Sequence, residues 1–336
     1  LIGGRAGLVA KIEKPQALER IADIVHLADA VMVARGDLGV ELAPEEVPGR
    51  QKELVRLCRL AAKPVIVATQ MLESMIQSPT PTRAEASDVA TAIYDGADAV
   101  MLSAESAAGA YPLEAVQMMD RIIRHTEAHG FYRPAIRAID LDQDLDATPS
   151  HVVAAAAADM ADRLEAEAII AFTARGTTAM RIARQRPAVP ILALTPSLEV
   201  ARRLCLLWGA HSARIPELSG YEDMVEEASA AAIAEGFARA GDLAVVQIGG
   251  DLQEHRAALR QAVARLLDGV LGDDFAVARG AGQGRRPAAF PDLVVDDAGA
   301  AEEDAAAEFE IAELFDDLGS AGRDDDEGPA PARDNA

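Results

Sequence analysis

Nine residues in the first third of the chain have the types needed for anion and metal chemistry. Lys11 and Glu13 close one apolar run, and Arg35, Gly36 and Asp37 close a second. Thr69 and Gln70 close a third, and Ser103 with Glu105 a fourth. A lysine, carboxylates and hydroxyls converging on one face suit a phosphorylated acid bound through a divalent metal, because Mg²⁺ takes one or two protein carboxylates and fills its shell with substrate oxygens and water. Lys11 is placed to neutralise a transferring phosphoryl group or a developing enolate. A lone charged residue at a strand end is usually just solvated. Arg35–Gly36–Asp37 is the sharper signal, since a glycine lets bare backbone amides approach an anion.

The elements that must position these residues follow from the hydrophobic pattern. GLVAKIE (7–13), DAVMVARGD (29–37), KPVIVATQM (63–71) and ADAVMLSAE (97–105) are short, apolar and without polar alternation, as in buried parallel strands. Helices are expected between them. One starts near Pro15, one runs from about Pro48 to Ala62, and one follows Thr82, where Glu85 three residues on completes a capping box. Another runs from Pro112 to His129. The spacing of about 30 residues between strands is that of βαβ units, so a parallel sheet is expected, with the polar residues gathered where strands end. Val33, Val67 and Met101 are expected to line its inner face.

Residues 132–149 are poor in apolar side chains and are expected to be a linker. A second βα pattern follows: a helix over 150–165, strands at 168–173, 189–195, 212–216 and 242–249, and helices between, reading as a small doubly wound domain over 150–250. Within it, TARGTTAMRIARQRP (173–187) is a strand, a glycine turn and a helix. Thr173, Arg175, Gly176, Thr177 and Thr178 could cradle a phosphate at the helix start, and the same residues also describe an ordinary strand-to-helix turn with capping threonines. One more helix is expected over 251–271. From Asp292 onward, 16 acidic residues face 2 basic ones, which predicts a solvated, disordered tail.

Composition narrows the partners. A net charge of −23 argues against nucleic acid, and no apolar run approaches the ~20 residues of a membrane helix. No signal peptide is visible. Cys58 and Cys205 sit in apolar helical runs and are expected to be buried, inert thiols, which fits a cytoplasmic protein. Trp208 and the six histidines lack partners at useful spacing, so packing or solvent roles are expected.

KIE at 11–13, MVARGDLGVE at 32–41, ATQMLESM at 68–75, PTRAEASDVA at 81–90 and VMLSAESAAGAYP at 100–112 resemble pyruvate kinase in wording, order and spacing. The resemblance runs from about residue 7 to about 245. It implies the second half of a (β/α)8 TIM-type barrel over 1–131, then the linker, the family's regulatory α/β domain and the acidic tail over 251–336. It implies phosphoryl transfer from phosphoenolpyruvate to ADP, giving pyruvate and ATP. Lys11 would stabilise the phosphoryl group and enolate. Glu13 and Asp37 would hold Mg²⁺ or Mn²⁺. The amides of Gly36 and Asp37, with Arg35 and the Thr69 hydroxyl, would bind the substrate, and Thr69 and Ser103 would lie near the carbon that is protonated. The 173–178 loop would take a phosphorylated effector, and Arg83 would sit near a subunit contact of a homotetramer. The K⁺ ligands would belong to the first half of the barrel, which is expected upstream because the chain opens at Leu1 inside a strand-like run. Departures are Lys14 after KIE, LSAES at 102–106, and GDLQEHRAALRQ after the strand at 242–249, where no final strand is recognisable. Two other readings are a pyruvate-handling barrel lyase and a non-catalytic regulatory or interaction protein.

Overall fold

The computed structural model describes residues 6–139, 148–218 and 220–248, and the backbone of 275–277. Its first sheet has four parallel strands in chain order: β1 (Val9–Ile12), β2 (Ala30–Ala34), β3 (Val65–Ala68) and β4 (Ala99–Met101). Register places Lys11 beside Met32, Ala34 beside Ala68 and Ala68 beside Met101, so all four strands end along one edge. The connecting elements are α1 (Pro15–Glu19), α2 (Ile21–Leu27), α3 (Arg35–Glu41), α4 (Val47–Leu60), a 3₁₀ turn at Glu73–Ile76, and α5 (Arg83–Asp95). After β4 come α6 (Ala104–Ala107) and α7 (Pro112–Ala128).

Alternation along the strands decides which face is dry. Ile12, Val31, Val33, Val65 and Val67 point into one core with Leu54, Val55 and Cys58 of α4, Val89 and Ala92 of α5, and Ala115 and Met119 of α7. Val33 and Val67 therefore face the helices and not the opposite, inner face. Lys11, Met32 and Ile66, aligned across three strands, occupy that other face.

The α5 start is held as its sequence expects. The Thr82 hydroxyl accepts from the Glu85 amide while the Glu85 carboxylate accepts from the Thr82 amide. Gly96 ends the helix at φ +97°, where a Cβ would lie 2.7 Å from Cδ of Arg59. Other boundaries differ from expectation. The strand expected to reach Asp37 stops at Ala34, and Arg35, Gly36 and Asp37 form the first turn of α3. The stretch read as linker begins with α8 (Tyr132–Arg137), because Tyr132 and Ile136, one turn apart, pack together against Ile93.

The second sheet is also parallel. Its strands are β5 (Ala168–Phe172), β6 (Ile191–Thr195), β7 (Ala210–Arg214), β8 (Ala244–Ile248) and β9 (Phe275–Val277), in spatial order β7-β6-β5-β8-β9. β9 is a strand that the sequence pattern did not reveal; it pairs in parallel with β8. Helices α9 (Pro149–Arg163), α10 (Thr177–Arg184) and α11 (Leu198–Leu204) cover one face, and α12 (Tyr221–Ala234) covers the other. Ile169 and Ala171 serve the first core and Ile170 and Phe172 the second, the signature of a doubly wound layer. Cys205, expected to be buried, is exposed: α11 turns Ala201 and Leu204 inward and releases Cys205 at its end. The expected helix over 251–271 and the acidic tail lie outside the described residues. No helix among the described residues is long and apolar enough to cross a membrane.

The two sheets are joined through buried charge. Arg186, 1% exposed, pairs with Asp98, 3% exposed, at 3.1 Å and donates to the Gly96 carbonyl at 2.6 Å. Its guanidinium lies 5.0 Å from the Trp208 ring centre. Arg59 donates to the Arg184 carbonyl and Arg184 donates back to that of Leu60. Burial, then repulsion from Arg186, disfavours the charged form of Arg59.

Candidate active site at the strand ends

The parallel register brings Lys11, Glu13 and Asp37 together. The Lys11 ammonium touches the Glu13 carboxylate and reaches that of Asp37 at 3.2 Å. Hydrogen bonds donated by Lys11 to these two carboxylates, Glu13 first, raise its pKa above the ordinary value. Lys11 therefore stays cationic across neutral pH. All three side chains are substantially open to solvent.

Thr69 sits beside them at the end of β3. Its hydroxyl accepts from the Gly36 amide at 2.7 Å and donates to the Ala68 carbonyl at 2.6 Å. Thr69 and Gln70 both have left-handed backbone, at φ +70° and +56°. Two consecutive non-glycine residues there are costly and persist only where their surroundings hold them. The Gly36 amide, expected to face an anion, is thus engaged by Thr69. Ser103 joins the group indirectly. Its amide donates to buried Glu105 at 2.7 Å, and the other Glu105 oxygen accepts from the Leu72 amide at 3.2 Å, tying the β4 end to the loop after β3. Glu85 anchors the same loop through the Ser74 amide (2.7 Å) and hydroxyl (2.5 Å).

Arg35 is not among the solvent-facing groups. It is 9% exposed and directed into protein, with Asp88 at 2.6 Å and the Thr69 carbonyl at 2.6 Å among its partners. Sequence reasoning missed Asp88, Gln51 and the tying role of Glu105, because their partners lie tens of residues away and no local spacing announces them.

A divalent metal fits the donor set in one specific sense: Glu13 and Asp37 both reach a single cation, the Lys11 ammonium. Among the described residues no group of three or more His, Cys, Asp or Glu side chains could hold a metal alone. Two carboxylates beside open solvent match an ion that completes its shell with water and substrate oxygens.

The residues matched by two family descriptions take in the first sheet and, in the second, β5 to β8. The pyruvate kinase barrel domain matches 3–116, and the pyruvate kinase alpha/beta domain matches 151–258. The chain belongs to the pyruvate kinase family. A pyruvate kinase of Agrobacterium vitis is 63% identical over 249 residues, covering 74% of this chain and 52% of the relative. One from Methylorubrum extorquens is 50% identical over 246 residues, covering 73% and 51%. A crystal structure of a pyruvate kinase from Cryptosporidium parvum superposes with a TM-score of 0.67 at 38% identity, covering 71% of this chain and 48% of that one. The chain spans about half the length of the curated relatives it matches.

In the second sheet, the effector-loop candidates divide by exposure. Arg175 and Thr177 face solvent, whereas Thr173 and Thr178 are buried. The Thr173 hydroxyl accepts from the Gly176 amide at 2.9 Å, and Gly176 takes φ +89° to start α10. Of the five, only Arg175 and Thr177 thus offer exposed side chains to a ligand. Trp208, expected to have no partner, donates through its ring nitrogen to Glu127 at 2.8 Å.

Proposed function

We propose that this chain carries the phosphoenolpyruvate/pyruvate half-site of a pyruvate kinase, the enzyme that passes a phosphoryl group from phosphoenolpyruvate to ADP. The supporting observation is the cluster of Lys11, Glu13 and Asp37 at adjacent parallel strand ends, with Thr69 against Gly36, in a chain of this family.

In this reading Glu13 and Asp37 hold Mg²⁺ or Mn²⁺, which when bound supplies Lewis-acid charge to the substrate's carboxylate and enol oxygens. The Lys11 ammonium leaves its resting pairs and neutralises charge on the transferring phosphoryl group and the enolate. The Asp37 amide orients the carboxylate, joined by the Gly36 amide and the Thr69 hydroxyl once they exchange their resting hydrogen bonds for it. Thr69 and Ser103 lie toward the carbon that gains a proton, delivered through water. Arg175 and Thr177 are the exposed groups for a phosphorylated effector.

The four-strand sheet corresponds to the second half of an eight-strand barrel. The remaining strands are proposed to supply the K⁺ ligands and nucleotide closure of a cytoplasmic homotetramer. The test is Mn²⁺-dependent binding of oxalate to the purified chain, alongside coupled turnover with phosphoenolpyruvate, ADP, Mg²⁺ and K⁺. Measurable oxalate binding with little turnover is expected. A folded chain that binds no oxalate refutes the half-site, and robust turnover refutes the division of labour.

A further inference from the structure

We propose that Arg35 is a positioning residue for this site: it holds Thr69 and Gln70 in their left-handed conformation and contacts no substrate. The inference rests on reading the strand ends as a pyruvate-type site.

A guanidinium has five N–H donors and no acceptor, and all five are spent here. Nε donates to the Ala68 carbonyl at 3.3 Å. One terminal nitrogen donates to Gln51 Oε1 at 3.3 Å and to Asp88 Oδ1 at 2.6 Å. The other donates to the Thr69 carbonyl at 2.6 Å and to Met71 Sδ at 3.0 Å. Three of the five acceptors thus belong to the exit of β3, on both sides of the strained Thr69–Gln70 step. The other two belong to α4 and α5, which fix the guanidinium itself. Gln51 is fixed in turn by donating to Asp95 at 2.9 Å.

The consequence is local. With its carbonyl held by Arg35, and its hydroxyl held by the Gly36 amide and the Ala68 carbonyl, Thr69 has little freedom left. Releasing the clamp lets Thr69 and Gln70 return to ordinary backbone, which moves the hydroxyl away from Gly36 and Asp37. The β3 exit belongs to the loop that Glu105 and Glu85 pin at Leu72 and Ser74. Arg35 controls the part nearest the site.

Asp88→Asn separates the two roles of Arg35 by sign. Removing a carboxylate makes the region more positive and loosens the guanidinium, so an arginine that bound anions directly would bind oxalate as well or better. A clamp would instead weaken. The expected result is about a tenfold loss of Mn²⁺-dependent oxalate affinity, the scale of one charge-assisted hydrogen bond. Amide hydrogen exchange of the ligand-free chain should also speed about tenfold over residues 69–72, the same scale, with the α/β domain unchanged. Gln51→Leu, which removes only a neutral acceptor, should shift both in the same direction by less, and serves if Asp88→Asn does not fold. Unchanged exchange over 69–72, or oxalate affinity equal to or tighter than the parent's, overturns the proposal. If the parent chain binds no oxalate, the pyruvate-site reading fails and the exchange comparison alone decides the clamp.

Discussion

Replacing Asp98 by asparagine should cost the chain about 3–5 kcal/mol, the usual penalty for breaking a buried ion pair by removing one partner. Asp98 uses both oxygens: Oδ2 accepts from the Val65 amide at 3.0 Å, and Oδ1 accepts from the Trp208 amide at 3.2 Å and from Arg186. An asparagine has one carbonyl oxygen, so its NH₂ must face a donor on one side. That leaves either the start of β3 or the Arg186–Trp208 side unsatisfied, at roughly 1–3 kcal/mol. Arg186 keeps the Gly96 and Ala183 carbonyls, which holds the total within the stated range. For a unit of this size the loss corresponds to roughly 6–20 °C in melting temperature. Trp208 is the chain's one tryptophan and sits at this joint, so urea unfolding followed by its fluorescence reports the event directly. Adding Arg186→Met removes the stranded cation, so the double variant should be more stable than the sum of the single changes allows. A change below about 1 kcal/mol for Asp98→Asn, or strict additivity in the double variant, would refute the view that buried charge joins the two sheets.

In a complete enzyme carrying these strands, Lys11→Met should lower turnover by ~10³-fold while metal affinity holds or rises, because it removes the cation resting between Glu13 and Asp37; near-normal turnover would sink the assignment. Glu13→Gln and Asp37→Asn should each weaken Mn²⁺ binding in a metal titration, and unchanged affinity in both would count against the pair. Burial pushes the Cys58 thiol up to about 12, so a thiol reagent at pH 8 should label Cys205 alone in the native chain and both cysteines in urea; rapid native labelling of Cys58 would contradict its burial. For Glu85, burial raises the carboxyl pKa, but the hydroxyls and amides of Ser74 and Thr82 outweigh it, leaving the pKa below 4.5. That contribution is present above 4.5 and lost as pH falls through the lowered value, so Glu85→Gln should destabilise at pH 7 and converge with the parent in acid melts.

How much was legible beforehand depended on how local each cause is. The α5 start was, because Thr82 and Glu85 lie three residues apart and satisfy each other's amides within one turn. The parallel strands were also legible, since short apolar runs about 30 residues apart with helical stretches between them mark βαβ units. Face assignment was not: Val33 and Val67 look the same whichever way they point, and only their packing on α4 and α5 settles it. The α8 helix was hidden because two residues, Tyr132 and Ile136, find a pocket made by other elements.

The same division runs through the site. Residue type and order within the sequence determined the family and the strand ends near which Lys11, Glu13, Asp37 and Thr69 gather. Tertiary structure decided what each group does with its protons. Arg35 reads as an anion ligand in sequence, but Gln51, Asp88 and the β3 exit converge on it from 16 to 53 residues away. A guanidinium has a fixed number of donors. Whether any remain for a ligand is settled by which acceptors folding brings within reach, and no spacing along the chain encodes that distance.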